Sequence, residues 1–336
     1  MKMHCKLNVF AKIGIAILVL LVLMLLTAVI EYLLPDVMDY TVNSDQQTCT
    51  ITGARNPDDI VLRIPKKIGK YTVTQIAPNA FSNGKMDFVV IPETVSKIGE
   101  KAFYECSELI WVIGLEKCTS LTTIEEQTFT YCESIRKITL PESIKTIGKC
   151  SFLGCYNLQE INIPSKVTSI EYGAFTTCIK IEQINIPASV KHIDPRAFEA
   201  CYSLESLTVD EANLLWCSVD NVIYSKNMKK IHTYSAGKKE SEFTIPEGVT
   251  TISSYAFANN IYLRTINIPS SVINIEDGII YGANEKISKI NGLNYDGTVE
   301  KWLAFLKAEN WDNGSAYYTI YCTDGQITKY GTITYK

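Results

Sequence analysis

The sequence predicts a repeat solenoid: stacked short parallel β-strands with turn or short helical connections, preceded by one N-terminal transmembrane helix. Three observations point there. Apolar-Pro pairs recur 23 residues apart, at Leu140-Pro141, Ile163-Pro164 and Ile186-Pro187, and again at Ile245-Pro246 and Ile268-Pro269. A phenylalanine recurs in phase at Phe129, Phe152, Phe175 and Phe198. From Ile13 to Ile30 no residue is charged and Ile, Leu and Val dominate. A fixed period of about 20–50 residues marks units that cannot bury their apolar face alone and must stack.

The first element is the basic stretch 1–12, which carries Lys2, Lys6 and Lys12 and no acid. The apolar run that follows is long enough, at about 1.5 Å per residue, to cross the hydrocarbon of a bilayer. A transmembrane signal anchor is therefore expected over 13–34. A cleaved signal peptide is the alternative, although its core is usually shorter and ends in a small-residue cleavage site. Lysines before the span and Glu31, Asp36 and Asp39 after it put the N-terminus inside the cell membrane and the remainder outside. Residues 40–63, with Thr48-Cys49-Thr50-Ile51-Thr52-Gly53, are expected to form an N-terminal cap.

The repeats occupy 64–290. One unit reads Ile163, Pro164, Val167, Ile170, Ala174, Phe175, Cys178, Ile181, Ile184, and the next Ile186, Pro187, Val190, Ile193, Ala197, Phe198, Cys201, Leu204, Leu207. Eight units start near Ile64, Ile91, Lys117, Leu140, Ile163, Ile186, Ile245 and Ile268. The Ile-x-Ile-Pro stretch alternates and is β-branched, so it reads as a strand. Proline, which cannot donate to a ladder, ends that strand. A second extended piece runs from Val167 to Ile170, and Ala-Phe-x-x-Cys is a compact turn that plugs the core with its ring. Phe103, Phe129, Phe152, Phe175, Phe198 and Phe257 are the expected core rings, with Cys106, Cys132, Cys155, Cys178 and Cys201 beside them. Parallel strands about 4.8 Å apart make nine or so coils a rod or arc about 40–50 Å long.

The pattern Ile-Pro-x-x-Val-x-x-Ile-x-x-x-Ala-Phe-x-x-Cys-x-x-Leu-x-x-Ile resembles the BspA-like leucine-rich repeat family of bacterial and protist surface proteins, over about residues 40–290. Other leucine-rich repeats carry an Asn-centred motif and lack the Ala-Phe-x-x-Cys plug. The resemblance implies a fold of the leucine-rich-repeat type, export, surface display and binding to host or environmental macromolecules. It implies no single ligand.

Two stretches depart from the period. In 209–244, Ser218–Ser225 and Lys229–Tyr234 read as strands of a hairpin-like insertion that keeps the stack continuous. Its Lys226, Lys229, Lys230, Lys238 and Lys239 mark either a solvated hairpin or a docking site for an anionic polymer. In 291–336, Thr298 is a helix N-cap candidate, and Val299, Trp302, Leu303 and Leu306 share one face of a short helix. Tyr317–Cys322 and Gln326–Thr334 read as two strands joined at Asp324-Gly325. This is either a C-terminal cap that hides the last open edge or a small aromatic ligand-binding module.

Composition excludes several functions. With 32 basic and 36 acidic residues the chain lacks the basic face that nucleic-acid binding needs. Only three histidines are present among the 336 residues, no His-Glu-x-x-His or Cys-x-x-Cys occurs, and no Gly-rich phosphate loop precedes a helix. No enzyme, cofactor or metal site is expected, and His192 stands at a variable outward position. Parallel Cβ vectors between in-phase cysteines fit a disulfide poorly, so reduced, buried thiols are expected. Cys118 and Cys150 could still pair across a turn.

The expected ligand surface is the outward face of the strands. One column holds Trp111, Lys137, Glu160 and Gln183. Its neighbour holds Thr139, Asn162 and Asn185. Either this is a wetted polar face or an extended binding surface of the kind repeat proteins use. Trp111 favours binding, unless it packs on the 114–120 loop. The expected function is a membrane-anchored extracellular protein that binds a protein or polysaccharide in adhesion. The alternatives are a cell-envelope scaffold and a carbohydrate-binding accessory protein resting on Trp302, Trp311, Tyr317 and Tyr318.

Overall fold

The computed structural model describes residues 38–56, 60–282, 290–315 and 317–336. The transmembrane segment expected over 13–34 lies outside them. Among the described residues no helix is long and apolar enough to cross a membrane.

The chain winds into a parallel-strand β-solenoid of about 11 turns. One row of strands carries the Ile-x-Ile-Pro motif and runs from Val61–Arg63 through Phe88–Val90, Trp111–Ile113, Gln183–Ile186 and Ser206–Val209 to Thr265–Ile268. A second row of short strands includes Thr146–Ile147, Ser169–Ile170 and His192–Ile193. In both rows residue i pairs with i+23 in the regular units: Lys137 lies opposite Glu160, and Thr146 opposite Ser169. The sequence period is therefore the ladder register.

The Ala-Phe turns form a third ladder. The Phe152 amide donates to the Ala174 carbonyl at 2.9 Å, and the Phe175 amide to Ala197 at 2.8 Å. Inside, Phe81, Phe103, Phe129, Phe152, Phe175 and Phe198 stack with centroids 5.4–5.6 Å apart. The in-phase cysteines are buried thiols. Each Sγ donates to the phenylalanine carbonyl one coil back, as Cys155 to Phe129 at 3.2 Å and Cys178 to Phe152 at 3.1 Å. Cys118 and Cys150 are also free. Cys118 donates to the Pro92 carbonyl instead.

Burial pushes the Cys201 thiol up to about 12, and those of Cys132, Cys155 and Cys178 well above the ordinary range. The thiolate is the reactive form, so these groups are inert while the coil is closed. Among the described cysteines, iodoacetamide on the native protein will spare the five of the column and modify the half-buried Cys150 and Cys217 first. Peptide mass spectrometry reads the difference, and labelling of Cys155 at the rate of Cys217 would contradict the closed column.

Two expectations are corrected and one is refined. First, the insertion carries the stack on, since Lys230–Tyr234 pairs in parallel with Thr251–Ile252, but it divides the apolar core. Trp216–Val219, Val222–Ser225 and Lys230–Tyr234 form an antiparallel meander, and the Asp220-Asn221 turn has both residues at positive φ. Alternate residues of a strand face opposite ways. Ile223 accordingly joins the core that begins at Cys49, while Val222 and Tyr224 join a second core that extends to Ile327. Phe257 belongs to this second core, packed on Tyr234 at 5.5 Å and Phe243 at 5.8 Å, so the phenylalanine column ends at Phe198. Tyr234 takes the plug position: its amide donates to Ala256 as Phe152 does to Ala174.

Second, the ladder does not stop at Ile290. Gly292–Tyr295 pairs in parallel with Thr265–Ile268, and Thr319–Tyr321 with Gly292–Asn294. Longer turns between these rungs hide the period. At the other end Thr48–Ala54 pairs in parallel with Tyr71–Ile76, and Met38–Val42 folds back on it as a hairpin.

Third, the C-terminal helix is Val299–Ala304, with Thr298 Oγ1 accepting from the Lys301 amide. Val299 and Trp302 are buried, but Leu303 and Leu306 are exposed. The chain leaves the helix at Phe305, and Leu306–Lys307 becomes a rung opposite Asn274–Ile275, which turns Leu306 outward. The stretch after Gly325 forms two strands, Gly325–Thr328 and Ile333–Tyr335, where one was expected.

Candidate functional site

The outward face of the first strand row has three characters along its length. At the N-terminal end Val61, Phe88 and Trp111 lie in register, as do Arg63, Val90 and Ile113. The residues between them, Leu62, Val89 and Val112, fill the core. Here the outward face too is apolar, apart from Arg63. Phe88, Val90 and Ile113 are half-buried, and Trp111 is 42% exposed, the most exposed tryptophan among the described residues. Trp111 was anticipated from sequence; Val61, Phe88 and Val90 were not. The signal was present in Phe88-Val89-Val90, where apolar residues stand at outward positions and alternation fails.

The middle of the face is polar and bonded along its own column. Lys137 Nζ meets Glu160 Oε2 at 2.5 Å. Asn162 accepts from the Leu140 amide at 2.7 Å and donates to the Leu140 carbonyl at 3.0 Å. Asn185 accepts from Thr208 Oγ1 at 3.2 Å. These side chains tie coil to coil, and Thr139 and Gln183 remain as exposed polar positions between them. Of the seven residues expected to bind a ligand, four therefore serve the ladder, and Trp111 alone joins an apolar cluster.

Toward the C-terminus the column becomes Thr244, Asn267, Asn294 and Tyr321. Asn294 and Tyr321 escaped sequence reasoning because the irregular spacing after Ile290 conceals their phase.

Other expected sites resolve differently. Trp302 and Tyr318 are buried and Trp311 half-buried, with Trp311 5.9 Å from Trp302 and 5.5 Å from Tyr318. The rings close the end of the core and do not offer a stacking platform for sugar; Tyr317 alone of that set is exposed. The insertion lysines are all engaged. Lys226 and Lys229 donate to the carbonyls of Glu211 and Gly248, and Lys230, Lys238 and Lys239 pair with Glu276, Glu240 and Glu205. This is the arrangement of a solvated hairpin.

His192 is exposed on its strand. His232 is buried, with Nδ1 2.7 Å from Thr233 Oγ1 and Nε2 3.0 Å from the Ile193 carbonyl. Burial lowers its pKa to about 4, which keeps the ring neutral. Both ring nitrogens are spent on structure. Among the described residues no group of His, Cys, Asp and Glu is placed to hold a metal ion.

Comparison with known proteins agrees with this architecture. The family model for the BspA type leucine rich repeat region matches residues 74–205 and 205–287 in six copies. No curated protein matches the chain. Among solved structures, the chain is similar to a leucine rich cell surface protein from Faecalibacterium prausnitzii, with 24% identity, a TM-score of 0.57, and coverage of 81% of this chain and 96% of that one. It is also similar to the pneumococcal vaccine antigen PcpA, with 22% identity, a TM-score of 0.65, and coverage of 86% and 87%. A third likeness is a leucine-rich repeat protein from Bacteroides ovatus, with 23% identity, a TM-score of 0.54, and coverage of 77% and 70%. At such identities the likeness speaks for the fold alone. The family model spans well over half of the chain and covers the repeats that build the ladder, the ring column and the thiol column: the chain belongs to the BspA-type leucine-rich repeat family.

Proposed function

We propose that this chain is a non-enzymatic, membrane-tethered surface protein that binds another protein through the N-terminal end of its outward strand face, in adhesion. The single observation that carries this reading is the apolar cluster around Trp111. A sheet face that keeps Val61, Phe88, Val90, Trp111 and Ile113 outward forgoes the polar residues that face water from the next coil on, starting at Lys137 and Thr139. Exposed apolar clusters of this kind mark interaction sites, and tryptophan is favoured among residues that dominate binding energy. The tether is the uncharged run Ile13–Ile30 behind three lysines, which directs the solenoid to the outer side.

The test uses cells displaying the full chain and immobilised extracellular matrix proteins. Trp111→Ala is expected to weaken saturable binding by more than about tenfold, in line with the 2 kcal/mol or more typical of a hot spot. Because the ring is 42% exposed, the melting temperature should hardly move. Undiminished binding by Trp111→Ala would sink the proposed surface. Protease treatment of intact cells checks the topology, since a solenoid outside the membrane is degraded and one inside is spared. If no protein is bound and deletion of the chain alters cell shape, the cell-envelope scaffold becomes the better account.

A further inference from the structure

The repeat position that Asn162 uses to tie its coil to the backbone of the one before is used differently in the C-terminal half. Asn162 spends its amide on the backbone of Leu140. Its counterparts Asn267 and Asn294 bond side chain to side chain. Asn267 Nδ2 donates to Glu242 Oε1 at 2.7 Å and to Thr244 Oγ1 at 2.9 Å, and Asn294 Nδ2 donates to Asn267 Oδ1 at 2.8 Å. The result is a directional row of amides on the surface, not a backbone tie.

Beside this row lies an open groove of about 440 Å³. Thr244, Asn267 and Asn294 line it, and Pro246 and Pro269 stand at the corners where two of its coils turn. In the third coil Tyr295-Asp296-Gly297 replaces the Ile-Pro corner. Gly297 is required there, because a Cβ would collide with the Tyr295 ring. One rung beyond the lining residues, Tyr321 continues the column, directly opposite Asn294, and is 48% exposed.

We propose that this groove binds an uncharged polysaccharide chain lying across the coils, with Asn267 and Asn294 reading its hydroxyls and Tyr321 stacking on a sugar ring. Four features argue for that ligand. The groove is open and crosses three rungs, which suits a polymer. The rungs lie about 4.8 Å apart, close to the length of one pyranose unit along a linear polysaccharide. The capacity left in the row is mixed: the Thr244 hydroxyl donates, the Asn294 Oδ1 accepts, and the second Nδ2 hydrogen of Asn294 remains, while Asn267 Nδ2 is fully used. A sugar hydroxyl likewise both donates and accepts, whereas the ammonium and guanidinium groups that distinguish a basic peptide only donate. Finally, Glu247 and Asp296 line the groove and no lysine or arginine does, so sulfated or sialylated chains are repelled. The site is separate from the Trp111 cluster and does not depend on it.

The test is affinity electrophoresis of the full chain in neutral detergent through native gels containing laminarin, xyloglucan, galactomannan or hydroxyethyl cellulose. Retardation is expected in at least one gel. It should weaken at least tenfold for Tyr321→Ala and for Asn294→Ala, each checked to melt like the wild type, and stay unchanged for Trp111→Ala. The proposal is overturned by migration unaffected in all four gels, by retardation that survives both Tyr321→Ala and Asn294→Ala or fails with Trp111→Ala, or by hexalysine displacing the bound polymer. The hexalysine outcome would assign the groove to a basic peptide.

Discussion

Phe152→Ala will cost about 3–5 kcal/mol of stability, the range for removing a fully buried aromatic ring. The ring is fully buried and lies between Phe129 at 5.6 Å and Phe175 at 5.5 Å. Its neighbours cannot close the gap, because each is pinned by its own turn. The Phe152 amide and carbonyl are already committed, to the Ala174 carbonyl and the Cys178 thiol. The surroundings therefore relax little and the cavity persists. In a stack held by nearest-neighbour contacts the loss is shared by the coils on either side.

The divided core adds a second expectation for the same variant. The first core runs from Cys49 to Ile223, and the second from Val222 to Ile327. Urea unfolding should show the transition of the first core shifted and that of the second unchanged. In a background carrying Trp111→Phe and Trp216→Phe, Trp302 and Trp311, packed together at the C-terminal end, report the second by their fluorescence, and alkylation of Cys155 reports the first. A loss below about 1 kcal/mol, or an equal shift of both transitions, would contradict the packing described here.

Acidification will destabilise the junction between the two cores through His232. Burial is the largest cause of its lowered pKa, and neighbouring Lys230 and His192 act in the same direction. The carbonyl of Ile193 and the carboxylate of Glu276 oppose it. The folded protein holds this base at about 4, against about 6.5 in the unfolded chain. Between those values the unfolded state binds the proton and the folded state does not. The stabilising contribution is thus complete above about pH 6.5 and is lost as pH falls toward 4. The full loss amounts to about 3 kcal/mol by linkage.

The local consequence should appear where the ring sits. His232 Nε2 reaches back to the Ile193 carbonyl in the preceding coil, and the ring stands edge-on to Trp216 at 4.7 Å. Arg196 spans the same junction, with its guanidinium over Tyr172 at 5.2 Å and Tyr255 at 4.8 Å. Stability measured in steps from pH 7 to pH 4 should fall in the wild type. The fall should be shallower in His232→Gln, whose side chain does not titrate. The slope is the readout, so a uniform loss of stability in the variant does not confuse it. Parallel slopes would assign the acid sensitivity to carboxylates and refute the role of His232.

How much was legible in the sequence follows from what kind of signal each element leaves. Phe129, Phe152, Phe175 and Phe198 are local in meaning: each occupies the same place in a unit of constant length, so equal spacing translates into vertical stacking. The thiol column follows for the same reason. Tyr234 performs the job of Phe257, yet it sits in a meander whose length breaks the count. Gly292–Tyr295 and Thr319–Tyr321 pair as true rungs, but the turns between them are long enough to conceal it. Trp302 left two readings open. An aromatic in a polar stretch resembles a ligand platform until its neighbours Tyr295 and Trp311 are known to surround it.

From the sequence alone, then, came the solenoid, its period, the strand register in the regular units, and the identity of the rings and thiols within. These are properties of one unit repeated, and hydrophobic periodicity records them residue by residue. Only the tertiary structure decided that the core splits at Val222 and Ile223, that Asn162 serves the backbone while Asn267 and Asn294 serve the surface, and that Trp111 stands in an apolar cluster. Those outcomes depend on which side chains the neighbouring coils bring alongside. Contacts between coils are set by distances across the fold, which no single repeat encodes.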